Sequence, residues 1–335
     1  MKPATQDQRQ RSVTFTDIEQ AAARIAPYIG PTPLLENPAL NERLGLRLLV
    51  KAEPLQQTGS FKLRGATNFI ARLTTEARGR GVLAYSSGNH AQGVALAAKR
   101  SGILARIVMP TSAPAIKVER TRALGAHVDL YEHYYSNRDS YIEQVSRETG
   151  MLIVHPFDHP DIVAGQGTVG LEIAAASGAL GLRIDSVFVP TSGGGLLTGV
   201  STAIRERAPD AAIFGIEPEG HDDFARSIKL GRVVEGSDPG RPTFCDALKS
   251  PRPGNLPLSI ALSQGLGFGT ASDADIEPAM RVLAEDFRVI AEPGGAIGMA
   301  AALKRAKHLQ DQVVVVVVSG GNVDHDVFCK AVRQH

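Results

Sequence analysis

The stretch of sequence that decides the fold is QTGSFKLRGA, residues 57–66. It places one lysine, Lys62, between a glycine turn and an apolar helical run. A lysine in such a place can lose contact with water, which lowers the pKa of its ammonium group and leaves a nucleophilic amine. Schiff-base chemistry on a carbonyl cofactor requires such an amine. Taken alone, Ser-Phe-Lys more often begins a helix whose lysine reaches solvent, so the interpretation depends on the rest of the chain.

Length and composition limit the classes to which the chain can belong. At 335 residues it exceeds what one hydrophobic core usually organises, so we expect two domains. A net charge of +1 favours neither a nucleic acid nor an anionic membrane as partner. Two cysteines exclude a disulfide scaffold and fit a reducing compartment. Residues 1–11 lack an apolar signal core and no apolar run is long enough for a bilayer, so we expect a cytoplasmic protein.

Short apolar runs alternate with helical stretches along most of the chain. This alternation is typical of βαβ units and predicts an α/β fold with parallel sheets flanked by helices. Asp17 can cap a first helix over 18–25. The Gly- and Pro-rich stretch 234–257 is the strongest candidate for a long loop. The predicted strands are 48–51, 81–86, 105–110, 127–131, 186–190, 213–217 and 313–318, and further helices are predicted over 92–101 and 115–124.

A glycine loop follows one predicted strand. Gly193, Gly194 and Gly195 come after the apolar run 187–190, and a helix is predicted from Leu196 onward. Glycines allow the backbone to curl so that its N–H groups converge on an anion, and the N-terminus of the following helix points to the same place. The loop therefore predicts a phosphate site. Taken alone, it could equally be a Gly-rich turn without a ligand.

Two further loops carry polar side chains. SGGN, residues 319–322, follows six consecutive valines, at the end of a strand where open α/β sheets place their ligands. SSGNH, residues 86–90, opens a predicted helix, and its donors suit a substrate carboxylate. By itself the first loop would be an ordinary turn, and His90 would be a structural histidine.

An acidic segment follows the predicted strand 213–217. EPEGHDD, residues 217–223, has four carboxylates within seven residues. Oxygen ligands at that density suit Mg²⁺ or Ca²⁺ rather than zinc. A solvated acidic loop is the alternative.

These motifs occur in one order along the chain. Together with AGQGT at 164–168, they resemble the pyridoxal-phosphate (PLP) enzymes of fold type II, specifically the serine/threonine dehydratase and serine racemase group. The likeness runs from about Thr16 to the C-terminus. It implies a tryptophan synthase β-like α/β fold of two domains, each with a largely parallel sheet flanked by helices. Residues 1–80 and 159–335 would form the large PLP-binding domain, with 1–11 as a disordered tail, and residues 81–158 the small substrate-side domain.

The resemblance implies roles residue by residue. Lys62 would hold PLP and remove the substrate's α-proton, and Ser87 would act as acid or base on the opposite face. Ser319 would hydrogen-bond the pyridine nitrogen, and a hydroxyl there leaves the nitrogen largely neutral, which favours loss of a β-substituent. Asn89 would contact the 3′-oxygen of the cofactor. The other implied cofactor-binding residues are Phe61, Ser192, Gly193, Gly194, Gly195 and Leu196, and the implied substrate-binding residues are Ser86, Ser87, Gly88, Asn89, His90 and Arg138.

The resemblance also implies two more sites and a partner. Arg138 matches an arginine that, in racemase-like relatives, approaches the distal end of a dicarboxylate ligand, although a surface helix arginine is the alternative. Such relatives coordinate a metal (Mg²⁺, or Mn²⁺ or Ca²⁺) through places that match Glu217, the backbone carbonyl of His221, and Asp223. We expect a small amino-acid substrate and a homodimer.

Two motifs of other protein classes lack the context that they need. GQGTVG, residues 165–170, fits the GxGxxG dinucleotide fingerprint, but the HPFDHP before it at 155–160 cannot be the strand that the fingerprint requires. His155 and His159 have HxxxH spacing, but Pro156 prevents the helix that would align them on zinc.

Together these features predict a PLP-dependent ammonia-lyase that converts a small β-hydroxy amino acid, such as threonine or serine, to a 2-oxo acid and ammonia. The alternatives are a 3-hydroxyaspartate dehydratase or an amino-acid racemase of the same family. An NAD-dependent dehydrogenase and a catalytically silent amino-acid-binding protein are more remote. Because the chain ends shortly after Ser319, we expect no regulatory domain and a catabolic role. The segment 243–254 departs from racemase-like sequences and is expected to shape the substrate pocket.

Overall fold

The computed structural model describes residues 12–86, 88–113 and 115–333. Its strands are β1 (Leu34–Glu36), β2 (Arg47–Ala52), β3 (Val82–Tyr85), β4 (Ala105–Pro110), β5 (His127–Tyr131), β6 (Leu152–Ile153), β7 (Ser186–Pro190), β8 (Ala212–Pro218), β9 (Gly267–Ala271) and β10 (Val313–Val318). Its helices are α1 (Phe15–Ile25), α2 (Pro38–Leu44), α3 (Lys62–Ala71), α4 (Thr75–Arg80), α5 (Asn89–Arg100), α6 (Ala115–Ala123), α7 (Tyr134–Thr149), α8 (Pro160–Ala179), α9 (Gly195–Arg207), α10 (Asp223–Leu230), α11 (Asn255–Gln264), α12 (Asp273–Phe287), α13 (Pro293–Lys304) and α14 (His325–Val332).

The larger sheet has six strands in the order β1-β2-β10-β7-β8-β9. β1 pairs antiparallel with β2, and the other pairings are parallel. β10 lies between β2 and β7, and Val314 to Val318 are fully buried. A strand inside a parallel sheet is covered by helices on both faces, which explains why it is a continuous apolar run. The C-terminal ends of β2, β7 and β10 therefore meet at one edge.

The smaller sheet has four strands in the order β5-β4-β3-β6, and its described pairings are parallel. Its core includes Leu63 and Ile70 of α3 together with Val82, Val94 and Ile107. Helix α3 lies before residue 81, so this core contains residues from both sides of the expected boundary. The division into residues 1–80 and 159–335 against 81–158 stays a prediction.

Helix α1 begins earlier than its sequence suggests. Thr14 is its N-cap: the Asp17 N–H donates to the Thr14 hydroxyl at 3.2 Å, and the Thr14 N–H donates to the Asp17 carboxylate at 3.0 Å. The prediction that Asp17 is the cap was therefore wrong. Asp17 is instead the third residue of the helix in a capping box, where a carboxylate is as favourable as at the cap itself.

The GxGxxG motif lies inside helix α8. A side-chain carbon at Gly165 would lie 2.6 Å from the Cα of Gly65, so helices α8 and α3 approach each other backbone to backbone. These glycines serve close helix packing. This placement excludes the dinucleotide loop, which would have to follow a strand.

The predicted loop over 234–257 ends earlier than expected. Apart from a short 3₁₀ turn at Asp246–Leu248, the chain is irregular from residue 232 to 254, and α11 already begins at Asn255. Pro257 lies in the first turn of α11. The N–H groups of a first turn have no acceptor within the helix, so a proline, which has no N–H, is tolerated there. The Asp158 carboxylate accepts from the N–H groups of Asn255 and Leu256 at 3.1 and 2.9 Å, and so caps this helix.

Both cysteines, Cys245 and Cys329, are free thiols, and Cys245 is buried. Over the described ranges, we find no helix that has the length and apolarity to cross a membrane.

Candidate active site

The segment before Lys62 is fixed to the end of β10. The Phe61 N–H donates to the Ser319 carbonyl at 3.1 Å, and Ser60 and Gly320 form an antiparallel bridge. Lys62 is the first residue of α3. Two segments that are far apart in the chain therefore place Lys62 close to Ser319.

The amine of Lys62 is withdrawn from solvent. Its Nζ donates to the carbonyl of Pro156 at 2.9 Å and lies 5.1 Å from the centroid of the Phe61 ring. Burial lowers the pKa of Lys62 to about 8, and the negative charge of Glu292 opposes this shift. Near pH 8 a large fraction of the amine is therefore neutral and nucleophilic.

Lys62 lines a cavity of about 600 Å³ at the C-terminal ends of strands from both sheets. Open α/β sheets commonly bind ligands at such strand ends. Ser87, the predicted acid or base, lies outside the described residues. The predicted residues that line the cavity are Phe61, Lys62, Ser86, Gly88, Asn89, His90, Arg138, Ser192, Gly193, Gly194, Gly195, Leu196 and Ser319.

The glycine loop after β7 forms one wall of the cavity. Gly194 has a φ of +90°, and a side-chain carbon there would collide with the ring of Phe224. Within the described chain, no protein acceptor is bonded to the N–H groups of residues 192–196. These donors lie at the N-terminus of α9, which favours negative charge. The loop therefore fits an anionic group such as a phosphate.

Two serine hydroxyls lie where Lys62 and the end of β10 meet. Ser319 is 5% exposed and lines the cavity. The Ser60 hydroxyl is fully buried and has no hydrogen-bond partner among the residues that the structure describes. A buried hydroxyl without a partner costs free energy, and Ser60, unlike Ser319, is not among the residues found to line the cavity.

Asn89 is held in one orientation by two neighbours. Its amide nitrogen donates to Glu292 at 2.6 Å, and its amide oxygen accepts from Asn322 at 2.7 Å. Burial raises the pKa of Glu292 to about 7, and the hydrogen bond from Asn89 opposes this shift. Glu292 was not expected from the sequence, because a lone Glu-Pro-Gly-Gly has no motif signal.

His90 is a neutral ring at the start of α5. Its Nε2 donates to the Val154 carbonyl at 2.8 Å, and burial lowers its pKa to about 3. One ring proton is thus engaged with the backbone. Ser86 takes part in a hydrogen bond within the loop: its hydroxyl accepts from the Gly88 N–H at 3.1 Å.

Arg138 lines the cavity, and its role in substrate binding stays a prediction. It follows Asn137, where the backbone of α7 departs from helical geometry. The guanidinium lies 4.5 Å from the centroid of the Tyr85 ring, and its Nε is 3.0 Å from the Asp139 carboxylate. Tyr85 was missed by the sequence analysis, which placed it only inside the predicted strand 81–86.

The two histidines of the HxxxH spacing have separate structural roles. His155 Nδ1 accepts from the N–H groups of Phe157 and Asp158, and its Nε2 lies 3.0 Å from the Tyr85 hydroxyl. His159 caps α8 by accepting from the Asp161 N–H.

The acidic segment lies apart from the cavity lining. Both Glu217 oxygens accept backbone N–H groups, from Phe224 and Ala225. Both oxygens of Asp223 are buried and lack a partner in the described structure. Burial raises the pKa of Glu217, as does the charge of Asp223, and burial raises the pKa of Asp223 to about 8.

The predicted metal ligands Glu217, His221 and Asp223 stay a prediction. The His221 side chain donates to the Arg241 carbonyl at 2.9 Å, so only its backbone carbonyl could serve as the predicted ligand. Over the described residues there is no cluster of three or more His, Cys, Asp or Glu side chains arranged to hold a metal. Burial raises the pKa of both carboxyl groups, and a bound cation would favour their ionised forms.

Comparison with known proteins agrees with this geometry. The model of the pyridoxal-phosphate dependent enzyme family matches residues 25–320. The chain is 40% identical over 311 residues to the L-threo-3-hydroxyaspartate ammonia-lyase of Saccharomyces cerevisiae, covering 93% of this chain and 94% of that protein. It is 35% identical to the serine racemase of Schizosaccharomyces pombe, covering 96% and 98% of the two chains. The crystal structure of a T.th. threonine deaminase superposes with a TM-score of 0.88 at 40% identity, covering 93% and 99%. The predicted family and fold class are thereby confirmed, and the chain belongs to the pyridoxal-phosphate dependent enzymes, with the fold of fold-type II.

Proposed function

We propose that the protein is an ammonia-lyase that removes the β-hydroxyl and the amino group of a small β-hydroxy amino acid, leaving a 2-oxo acid and ammonia. The observation that carries the proposal is the half-buried Lys62, whose amine has a pKa lowered to about 8, in a cavity shared with the glycine loop and Ser319. The similar proteins that are named as ammonia-lyases of hydroxyaspartate and threonine support it.

The residues of the cavity fit PLP. The N–H groups of residues 192–196 would hold its phosphate, the Ser319 hydroxyl its ring nitrogen and Asn89 its 3′-oxygen, with Phe61 beside it and Lys62 as the covalent link. When bound, PLP withdraws electrons from the substrate's Cα–H bond and so makes the α-proton removable.

Lys62 can both bond to a carbonyl carbon and hold a proton. Its neutral form is favoured by burial, so a substrate proton can move to Nζ without first removing one from an ammonium group. Glu292 limits the fall in the pKa, which keeps the protonated form accessible as well. Both states are needed if Lys62 accepts the α-proton and later releases it.

The loop from Ser86 to His90 would bind the substrate's α-carboxylate at the N-terminus of α5. A helix N-terminus attracts anions, and fixing the carboxylate there would orient the Cα–H bond toward Lys62. Orientation of reacting groups can lower a barrier by roughly 7–11 kcal/mol. Ser87 would be the acid or base of a racemase reaction.

3-Hydroxyaspartate is the second candidate substrate, and the observation that favours it is the position of Arg138 in the cavity wall. A guanidinium can hold a second carboxylate through two parallel hydrogen bonds. Serine and threonine offer no such group.

The test is the formation of 2-oxo acid and ammonia from serine, threonine, 3-hydroxyaspartate and phenylserine by the purified protein loaded with PLP. We expect turnover of at least one of them, and chiral analysis of the remaining amino acid would reveal a racemase. No 2-oxo acid from any of the four would refute the proposed lyase activity.

We also propose a divalent cation at Glu217, Asp223 and the His221 carbonyl, because neither buried oxygen of Asp223 has a hydrogen-bond partner among the described residues and oxygen ligands suit such a cation. A cytoplasmic homodimer is proposed as well. Sedimentation of the purified protein would test the homodimer, and fractionation of the cells that make the protein would test the cytoplasmic location.

A further inference from the structure

The turn between β6 and α8, residues 155–158, lies between the glycine loop (residues 192–196) and helix α11. Phe157 lines the cavity, whereas Asp158 is not one of the described residues that line it. We infer that Asp158 is a positioning residue for the phosphate of PLP: it fixes α11, and through α11 it holds the glycine loop in the shape that binds the phosphate. The inference rests on the phosphate role proposed for the loop and is independent of the reaction that follows.

The turn itself is held from two sides. The N–H groups of Phe157 and Asp158 both donate to His155 Nδ1, at 3.3 and 2.8 Å. The carbonyl of Pro156 accepts from the Lys62 amine at 2.9 Å. These bonds fix the backbone from which the Asp158 carboxylate projects.

Asp158 caps a helix that cannot cap itself. The residue at the N-cap position of α11 is Gly254, which has no side chain to accept a hydrogen bond. The two carboxylate oxygens of Asp158 take over this role by accepting from the N–H groups of Asn255 and Leu256, at 3.1 and 2.9 Å. A carboxylate in this place also interacts favourably with the helix dipole. Asp158 therefore fixes the position of the first turn of α11.

The chain at the start of α11 holds the glycine loop in turn. The Gly254 N–H donates to the Gly193 carbonyl at 3.0 Å. The C=O and N–H of a trans peptide point in opposite directions, so the Gly194 N–H points away from Gly254 and stays available to a ligand. A second bond joins the same two segments, because the Ser250 N–H donates to the Ser192 hydroxyl at 3.2 Å.

The turn and the loop are packed without free space between them. A side-chain carbon at Gly193 would lie 2.3 Å from the ring of Phe157, and one at Gly254 would lie 3.0 Å from the carboxylate carbon of Asp158. Because closely packed groups transmit displacement, a shift of Asp158 or α11 changes the shape of the loop.

The other end of α11 is bound to α9, the helix that follows the glycine loop. Gln264 ends α11, and its carbonyl accepts from the Arg205 guanidinium at 3.0 Å. Its side-chain oxygen accepts from the Ser201 hydroxyl at 2.5 Å. Leu258 of α11 and Leu197 of α9 share one buried cluster. Helix α11 is thus a brace between the loop and α9, whose N-terminus faces the same anion.

Pyridoxine and pyridoxine 5′-phosphate test the inference, because they differ only in the phosphate and lack the aldehyde that would bond to Lys62. We would titrate the full-length chain, freed of PLP, with each compound by calorimetry. Wild type should bind the phosphate ester more tightly. Asp158→Ala should weaken binding of the ester about tenfold and leave pyridoxine within about twofold. Asp158→Asn, which keeps one acceptor oxygen, should weaken the ester by no more than about threefold.

Ser272→Ala is the matched control. Ser272 caps α12 by accepting from the Asp275 N–H at 3.3 Å, and it is not among the described residues that line the cavity. Its loss should lower the melting temperature, as the loss of Asp158 does, but leave the affinity for both compounds unchanged. Thermal melts identify variants that do not fold, and Asp158→Ser, which keeps one acceptor with a shorter reach, replaces Asp158→Ala in that case.

Phosphorus NMR of the PLP-loaded protein adds a readout in the holoenzyme. N–H groups that converge on the phosphate favour its dianion, so the wild-type signal should not move between about pH 6 and pH 8. In Asp158→Ala the signal should move with pH toward the behaviour of free PLP, and in Ser272→Ala it should stay fixed.

Equal losses of affinity for pyridoxine and its phosphate in Asp158→Ala, or no loss for either, would overturn the inference. The same loss for the ester in Ser272→Ala would do so too, since the effect would then follow stability alone. A wild-type chain without preference for the ester would refute the phosphate loop and the inference with it. If the ester behaves as expected but no hydroxy amino acid is turned over, the proposed function fails while the role of Asp158 stands.

Discussion

At the residue scale, the chemistry depends on the protonation of Lys62. Replacing it with alanine should abolish both covalent attachment of PLP and turnover, because the cavity then lacks the amine beside Ser319. The measurement is borohydride reduction followed by mass spectrometry of the intact chain. Lys249→Ala is the control, since Lys249 lines the same cavity and should leave the attachment intact. A reducible bond that persists in Lys62→Ala would show that another lysine holds the cofactor.

The pKa of Lys62 leads to a prediction about pH. Only the neutral amine attacks a carbonyl, and burial moves its pKa from 10.5 down to about 8. The rate at which the apoprotein takes up PLP covalently should therefore rise with pH and level off above about pH 8. Stopped-flow absorbance measures this rate, and free N-acetyl-lysine methylamide is the reference that should keep rising to higher pH. The same profile for protein and reference would contradict the lowered pKa.

At the scale of elements, the loop between β7 and α9 is expected to hold the phosphate. Gly194→Ala should weaken PLP binding at least about tenfold, because φ is +90° and a Cβ would meet the ring of Phe224. Gly178→Ala is the matched control, since a Cβ at that helical glycine meets nothing within 4 Å. PLP retention is measured by fluorescence after dialysis. Equal retention by both variants would argue against the assigned loop.

At the scale of the whole molecule, a buried ion network joins three elements. Arg64 of α3 contacts Glu53, just after β2, at 2.8 Å and Glu172 of α8 at 2.6 Å, and Lys51 of β2 contacts Glu172 at 2.5 Å. Arg64 and Glu53 are fully buried. Removing one member leaves an uncompensated buried charge, which typically costs about 3–5 kcal/mol.

Arg64→Met should therefore lower the free energy of unfolding by about 3–5 kcal/mol in urea titrations. The control is Arg147→Met, which removes an exposed partner of Glu143 and should cost under about 0.5 kcal/mol. A loss for Arg64→Met as small as that of the control would mean that the network does not stabilise the fold.

The proposed cation should also stabilise the molecule as a whole. A chelator should lower the melting temperature, and Mg²⁺, Mn²⁺ or Ca²⁺ should restore it, since a ligand at about 100 times its Kd stabilises by about 2.7 kcal/mol. Asp223→Asn should remove this response, whereas Glu219→Gln, an exposed neighbour paired with Arg241, should keep it. Identical melts with and without chelator, and no metal by elemental analysis, would leave the segment as a helix cap with a buried acid.

The longer strands and the binding loops could be predicted from the sequence because their causes are local. A parallel strand covered on both faces is a continuous apolar run, as in β10, and a glycine loop must follow such a strand to form an anion site. The short strands β1, β6 and β9 were missed, since two or three residues, or a glycine-rich run, carry no pattern of their own. They form by pairing with neighbours, as Leu34 does with Lys51.

The sequence by itself determined the family, the α/β class, the lysine and the loops that surround it. Only the tertiary structure decided the contacts between distant segments: Glu292 with Asn89, and His155 with Tyr85. Such contacts depend on where whole elements pack. The sequence around one side chain therefore does not indicate which distant residue it will contact. The physical reason is that burial sets the pKa of Lys62 and packing sets the orientation of the Arg138 side chain. Both exist only once the two sheets have come together.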